Sequence, residues 1–277
     1  MTPDEYCQKK AAASGSSFYY SFLFLSPERR RAITALYAFC REVDDVVDET
    51  NEMQIAAAKL AWWRNEVANL FAGRPQHPVT KALGVFTEQF SIDAKRLNEI
   101  IDGMEMDLTQ TRYLDWAGLQ TYCYRVASVV GLLAAGIFGY RDARTLEYAR
   151  ELGIAFQLTN IIRDVGEDAR KNRIYLPMAE LKQFGVPAAD ILQTRQTPEF
   201  IALMSFQAAR ARQHYERALQ ALPAGDRKSQ RPGLIMAAIY RTLLDEIERD
   251  GFRVLMQRTS LTPLRKFWIA WKTWITA

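Results

Sequence analysis

Apolar residues recur every three to four positions along most of the chain, and no convincing run shows the alternation of a β-strand. The clearest helical stripe contains Ile235, Ile239, Leu243 and Ile247. Hydroxyl residues that precede proline add helix-start signals at Ser26, Thr197 and Thr262. The periodicity predicts helices over roughly 28–50, 54–72, 92–110, 115–138, 143–168, 198–221 and 233–250. We therefore expect an all-α fold, a single domain over residues 1–277 with about eight to ten helices around one core.

Composition narrows the function classes before any motif is considered. Lys and Arg exceed Asp and Glu by 36 − 32 = 4 among 277 residues, an excess too small for a dedicated nucleic-acid-binding protein. Three separated cysteines without a CxxC pair are typical of a reducing cytoplasm, and two histidines without ligand spacing argue against zinc or di-iron sites. The longest nearly apolar stretch, 126–138, has 13 residues, whereas a membrane span needs about 20. We predict neither a membrane-spanning helix nor a secretory signal.

Two of the predicted helices change character along one face. The apolar stripe of each continues into oxygen-bearing side chains spaced four residues apart, which therefore stack along that face. These side chains are Asp44 and Asp48 in the first helix and Asn160, Asp164 and Asp168 in the second. Charge is almost never buried unpaired, and carboxylates one turn apart repel each other, so a bound cation would explain both clusters. A solvated acidic helix face is the alternative for either cluster taken alone.

The ligand chemistry of these clusters indicates a hard cation. Oxygen ligands without histidine or thiolate predict Mg²⁺, with Mn²⁺ as a substitute, and two acidic faces across a helical bundle would hold ions that clamp a diphosphate. Interleaved basic residues could reach phosphate oxygens, with a solvated helix flank as the alternative; they are Arg41, Arg163, Arg170, Lys171 and Arg173. This pattern predicts ionisation of an allylic carbon–oxygen bond away from water, beside aromatic rings that stabilise the cation.

At these residues the sequence resembles the squalene/phytoene synthase family, whose members condense prenyl diphosphates head to head. The match is carried by Ser16-Ser17-Phe18-Tyr19, the run from Ala35 to Asp48, Tyr122-Cys-Tyr-Arg-Val-Ala127 with Gly131, the run from Gln157 to Asp168, and Arg173-Ile-Tyr-Leu-Pro177. It extends over nearly the whole chain, and two acidic motifs in order make it specific. The resemblance implies an isoprenoid-synthase-type helical bundle with a central apolar cavity.

The resemblance also implies a role for each matched residue. Mg²⁺ and diphosphate binding would fall to Asp44, Asp48, Asn160, Asp164 and Asp168. The catalytic residues would be Tyr37, Arg41, Tyr122, Gln157, Arg173 and Tyr175. Substrate contacts would come from Ser17, Phe18, Ala127, Val130 and Gly131, together with Arg41, Gln157, Asn160 and Arg173.

Within the family, the sequence is most similar to bacterial enzymes that make presqualene diphosphate for hopanoids. This implies that two farnesyl diphosphates are joined without NADPH and that later enzymes of squalene synthesis are partners. A full squalene or dehydrosqualene synthase, and a phytoene synthase that uses geranylgeranyl diphosphate, remain alternatives because channel depth sets the chain length. A terpene cyclase or head-to-tail elongase fits the motifs less well. A non-catalytic lipid-binding homologue would be expected to have lost an acidic cluster.

A short basic aromatic tail covers residues 263–277 and is too short and too charged to span a membrane. Phe267, Trp268, Trp271 and Trp274 lie there among Arg265, Lys266 and Lys272. Such a composition suits a membrane interface, and packing onto the domain is the alternative. We therefore expect a cytoplasmic protein that touches the inner face of the cytoplasmic membrane.

Overall fold

Helices form nearly all regular structure in the part of the chain that this computed structural model describes, namely residues 1–13, 21–22, 24–50 and 52–276. The first half contains α1 (Pro3–Ala13), α2 (Pro27–Glu49), α3 (Met53–Phe71), α4 (Pro78–Gly84), α5 (Ala94–Thr109), α6 (Trp116–Cys123) and α7 (Val129–Phe138). The second half contains α8 (Arg144–Arg170), α9 (Met178–Gln183), α10 (Ala188–Leu192), α11 (Pro198–Ala221), α12 (Arg231–Arg249) and α13 (Pro263–Thr276). Within these residues no β-strand occurs, only an isolated bridge between Arg112 and Ile174.

The predicted all-α fold is confirmed, and every predicted helix is found with ends that differ by no more than two residues. The described residues form thirteen named α-helices, more than the eight to ten predicted, because the short helices α1, α4, α9 and α10 and the C-terminal α13 were not predicted from periodicity. The helix α4 buries four side chains but has only seven residues, about two turns. The other short helices bury few side chains, as α1 buries Cys7 and Ala11 while α10 buries only Ile191. A helix with so few inward positions leaves no repeating apolar pattern in the sequence.

Two apolar clusters make up the core. One is built mainly from α2, α3, α4, α5 and α7, and the other mainly from α6, α8, α11 and α12. Val126 packs against both clusters, which meet around a central cavity lined by α2, α5, α7, α8 and α12. The long helices α2 and α8 therefore face each other across this cavity.

The helical run Trp116–Phe138 lies in the core and contains a π-helical segment, Tyr124–Ser128, between α6 and α7. This run packs closely against α8 at two positions where one of the facing residues is glycine. A β-carbon added to Gly153 would lie 2.5 Å from the Cα of Ser128, and one added to Gly131 would lie 2.7 Å from the carbonyl oxygen of Ala149. Only glycine permits this separation between the two helices.

By length and composition alone, Trp116–Phe138 is also a candidate membrane span, longer than the 13-residue apolar stretch seen in the sequence. The helix continues beyond that stretch because residues 116–125 extend it without a break. Val129, Leu133 and Ile137 are nevertheless buried in the core, where a lipid-facing helix would expose its apolar side chains. The packing indicates a core helix.

Candidate active site

The central cavity has a volume of about 800 Å³, within the range of small-molecule sites. Successive turns of α8 line it from Tyr148 to Asp168, a span of twenty residues or about 30 Å along the helix. Its mouth is lined by the charged ends of α2 and α8, and its depth by apolar residues such as Phe22, Ile33 and Leu152. Such a cavity accommodates a long apolar chain with a charged head group.

The acidic motif of α2 lies at the rim of the mouth. Asp44 accepts a hydrogen bond from Arg41 on the same helix, with Nη1 and Oδ2 2.6 Å apart. The Oδ1 atom of Asp48 lies 3.1 Å from Nζ of Lys171 and 3.4 Å from Nη1 of Arg173. Both bases directly follow α8, so these two ion pairs join the two acidic motifs across the mouth.

The acidic motif of α8 lies deeper. Oδ1 of Asp164 accepts hydrogen bonds from Nε of Arg163 at 2.7 Å and from Nε of Arg258 at 2.8 Å. Asp168 forms no ion pair with any residue that the structure describes. The carbonyl oxygen Oδ1 of Asn160 is buried and likewise has no hydrogen-bond partner there. The oxygen atoms of these two side chains therefore line the cavity without an ion pair or a hydrogen bond among the described residues.

Burial and neighbouring charges give the acidic side chains different pKa values. Burial raises the pKa of Asp44 to about 6 in spite of Arg41. Burial, together with the charges of Asp164 and Asp107, raises the pKa of Asp168 to about 7. Burial also acts on Asp164, but hydrogen bonds from Arg163 and Arg258 outweigh it and lower its pKa. Asp44 and Asp168 therefore hold their negative charge only at a free-energy cost.

This donor set fits divalent cations such as Mg²⁺. The candidate donors are carboxylate and amide oxygens, and the Oδ1 of Asn160, which has no hydrogen-bond partner among the described residues, is an acceptor that a cation would satisfy. Among the described residues, no three His, Cys, Asp or Glu side chains are grouped closely enough to hold an ion as they stand. Because Asp44, Asp48 and Asp164 are paired with basic side chains, a bound cation would replace or share those ion pairs.

A further acidic side chain, Asp107 on α5, lies between the motifs and was not predicted. The hydroxyl of Tyr122 donates to its Oδ2 at 2.9 Å, and that of Tyr175 donates to its Oδ1 at 2.7 Å. The two rings stack with centroids 5.2 Å apart. Burial raises the pKa of Asp107 to about 6, even though both hydroxyls stabilise the carboxylate. The tyrosine pair is thus held in place by one buried acid.

Sequence reasoning could have found Asp107. It continues the stripe of Leu97, Ile100 and Met104 in the same way that Asp44 continues its own stripe. Asp107 was not predicted because no second acidic residue lies one helical turn away from it. Arg258 gave no such signal, because it lies in a coil 94 residues from Asp164 in sequence.

Fourteen of the sixteen residues predicted for the site line this one cavity, a grouping that the sequence alone only implied. They are Tyr37, Arg41, Asp44, Asp48, Tyr122, Ala127, Val130, Gly131, Gln157, Asn160, Asp164, Asp168, Arg173 and Tyr175. The other two, Ser17 and Phe18, lie outside the described residues. Arg163, Arg170 and Lys171 also line the cavity, as predicted for basic residues near a diphosphate.

Sequence comparison identifies relatives of the chain. The squalene/phytoene synthase family matches residues 11–265. Phytoene synthase 3 of Zea mays is 38% identical over 266 residues, which cover 94% of this chain and 62% of the maize protein. The 15-cis-phytoene synthase of Synechococcus elongatus is 35% identical over 274 residues, which cover 95% and 89%. The chain spans less than two thirds of the length of several plant relatives.

Structural comparison leads to the same family. A crystal structure of a dehydrosqualene synthase in complex with ligand matches with a TM-score of 0.87 at 28% identity, covering 98% of this chain and 95% of that one. The predicted isoprenoid-synthase-type bundle is thereby confirmed. With the family match over most of its length and the relatives of similar sequence, this chain belongs to the squalene/phytoene synthase family.

Proposed function

We propose that the chain is a Mg²⁺-dependent prenyltransferase that condenses two prenyl diphosphates head to head. The products would be one cyclopropylcarbinyl diphosphate, one free diphosphate and one proton. The observation that carries this proposal is the pairing of two acidic helix ends at the mouth of an elongated, apolar cavity of about 800 Å³. A charged mouth suits diphosphate groups, while the apolar depth suits the prenyl chains.

The proposed reaction has an ionisation step followed by a ring-closing step. The C1–O bond of the first substrate breaks, and its electron pair leaves with the diphosphate. The double bond of the second substrate attacks the allylic cation, and loss of a C1 proton closes the three-membered ring. When bound, Mg²⁺ neutralises the charge of the departing diphosphate. Arg41, Arg163 and Arg173, which line the mouth, would bind phosphate oxygens in the same region.

The chain's own residues would protect and orient the cation. Tyr122 and Tyr175 direct their hydroxyl hydrogens to Asp107, which leaves their oxygen lone pairs free to stabilise positive charge. Phe156 and Tyr240 add aromatic faces to the cavity wall, with centroids 4.9 Å apart. These hydroxyls, backed by Asp107, are also suitable acceptors for the proton lost during ring closure.

Donor length is the point on which the comparisons and the sequence differ. We predicted farnesyl diphosphate from the sequence, whereas the curated relatives named above are phytoene synthases. Their names favour geranylgeranyl diphosphate as the donor. Farnesyl diphosphate is the second candidate, favoured by the structural match to a dehydrosqualene synthase.

The experiment incubates purified protein with farnesyl or geranylgeranyl diphosphate and Mg²⁺, with and without NADPH, and identifies extracted products by mass spectrometry. A C40 product from geranylgeranyl diphosphate, with no C30 product from farnesyl diphosphate, would support the phytoene alternative. A C30 diphosphate made in both the presence and the absence of NADPH would support presqualene diphosphate synthesis. Squalene formed only with NADPH would indicate a complete squalene synthase. No condensation from either donor, with Mg²⁺ or Mn²⁺, would refute the proposed prenyltransferase activity.

Channel depth offers a second test of donor length. Tyr148 lines the cavity about 24 Å along α8 from Asp164, and its buried hydroxyl has no hydrogen-bond partner among the described residues. If Tyr148 limits chain length, Tyr148→Leu should raise the ratio of C40 to C30 product. Tyr148→Phe, which keeps the ring, should leave that ratio unchanged and serves as the matched control.

A further inference from the structure

The outer face of α13 carries an apolar stripe for which the proposed reaction has no use. Its members are Leu264, Phe267, Trp268, Trp271 and Ile275, with exposed fractions between 42% and 83%. Their spacing places all five within a sector of about 100° around the helix. The indole rings of Trp268 and Trp271 lie against each other, with centroids 5.2 Å apart. This is a continuous apolar face in contact with solvent.

The adjoining face of α13 fixes the helix to the rest of the fold. Ala270 is fully buried, and the ring of Trp274 stacks on that of Phe24 with centroids 4.8 Å apart. The guanidinium carbon of Arg231 also lies 4.8 Å from the centre of the Trp274 ring. The outward stripe is therefore presented on an anchored helix.

The segment that contains the stripe has charged side chains of one sign, although in the fold Arg265 pairs with Glu246 and Arg258 pairs with Asp164. Residues 251–277 contain five basic residues and no acidic residue, whereas the whole chain has a net charge of only +4. The five are Arg253, Arg258, Arg265, Lys266 and Lys272. Tryptophan with flanking lysine and arginine is the composition of helices that lie in the headgroup region of anionic bilayers.

The stripe also lies next to the opening of the cavity. Residues 258–261, which lead into α13, line the cavity, as does Lys266 from the first turns of the helix. A surface that α13 binds would therefore lie beside the charged mouth. An apolar molecule could then move between that surface and the cavity with little exposure to water.

We infer that the stripe docks α13 on an anionic membrane surface, with the helix parallel to the headgroup plane. A second copy of the chain is a weaker occupant, because stable dimer interfaces use about 20–30 residues a side and this stripe has five. The inference does not rest on the proposed reaction, since membrane binding can be measured without substrate.

The test is flotation of the full chain with vesicles of phosphatidylcholine alone and of phosphatidylcholine mixed with phosphatidylglycerol. Trp268→Ser/Trp271→Ser should weaken binding to the mixed vesicles by at least about tenfold, because two large apolar side chains leave the interface. Trp62→Ser is the matched control, since Trp62 is 47% exposed but lies on α3. It should bind like the unchanged chain.

A charge variant distinguishes the contribution of the lipid headgroups to binding from that of the acyl region. Lys272→Glu should weaken binding to the mixed vesicles about fivefold or more and leave the weak binding to phosphatidylcholine unchanged. Equal binding of the double tryptophan variant and the unchanged chain would overturn the inference, as would no vesicle binding at all. Light scattering that shows a dimer dissociated by the tryptophan substitutions, without vesicles, would overturn it in favour of a second copy.

Discussion

The two acidic motifs resemble each other in sequence but differ in surroundings. In α2, Asp48 is 39% exposed and meets two basic side chains, whereas Asp164 in α8 is 18% exposed and Asp168 meets none that the structure describes. The α2 motif is therefore an open rim with a balanced charge at Asp48, whereas burial raises the pKa of Asp44 in the same motif. The α8 motif is a buried wall whose charge is only partly balanced. A shared ligand role does not require equal stability effects, and this difference can be measured.

The largest effect should be on turnover, where the two motifs should behave alike. Asp48→Asn and Asp168→Asn should each reduce kcat/KM by at least about 10³-fold, because metal-assisted stabilisation of a leaving group supplies several kcal/mol. Steady-state diphosphate release measures this. A variant of one motif that kept near-normal turnover would show that only the other motif serves the reaction.

Asp107 adds a further case to the comparison. It is a buried acid between the motifs, and it accepts hydrogen bonds from hydroxyl groups instead of forming ion pairs with basic side chains. Its folded-state pKa of about 6 lies above the ordinary value of 3.8, so the folded state binds its proton more tightly. Its contribution to stability should therefore be greatest below about pH 4 and should decline by about 2–3 kcal/mol as the pH rises through 6.

The pH prediction is checked by urea unfolding of the unchanged chain and Asp107→Asn from pH 4 to 8. The free energy of unfolding of the unchanged chain, relative to the variant, should fall over this range. A relative stability that does not vary with pH would contradict the raised pKa.

Tyr175→Phe tests whether the hydroxyl matters for turnover as well as for holding Asp107.

Stability without metal should separate two acids of the same helix. Asp164→Ala should lower the free energy of unfolding by about 2 kcal/mol, because it leaves the mostly buried Arg163 without its partner. Asp168→Asn should raise it by about 1 kcal/mol, because it removes a poorly compensated negative charge. Chemical unfolding in EDTA measures both. If both substitutions changed the free energy of unfolding in the same direction, Asp164 and Asp168 would not differ in charge balance.

The smallest effect should come from Asp45, which adjoins Asp44 in sequence but does not line the cavity. Its partners are Lys10 at 2.8 Å and Arg41. Asp45→Asn should change stability by less than about 1 kcal/mol and leave turnover within about twofold. It is the matched control for Asp48→Asn. A loss of turnover as large as that of Asp48→Asn would place Asp45 in the diphosphate site.

Most of the fold and much of the site could be predicted from the sequence, for local reasons. Helix periodicity and the break from apolar to acidic side chains are visible within single segments, which is why α2 and α8 were predicted together with their acidic motifs. Ion-pair partners were not predictable, because Lys171 reaches Asp48 across the mouth and Arg258 reaches Asp164 from a distant coil. Donor length depends on how several helices pack around the cavity, which no single segment encodes.

The glycine contacts between the core run Trp116–Phe138 and α8 have a genetic consequence. Gly153 and Gly131 have no side chain to offer a ligand, yet any substitution places a β-carbon within 2.7 Å of the facing backbone. A mutational scan scored by growth would therefore mark both positions as intolerant and group them with the carboxylates. Purified variants would separate the two classes, because loss at a glycine should follow the amount of folded protein, whereas loss at a carboxylate should persist in protein that is fully folded.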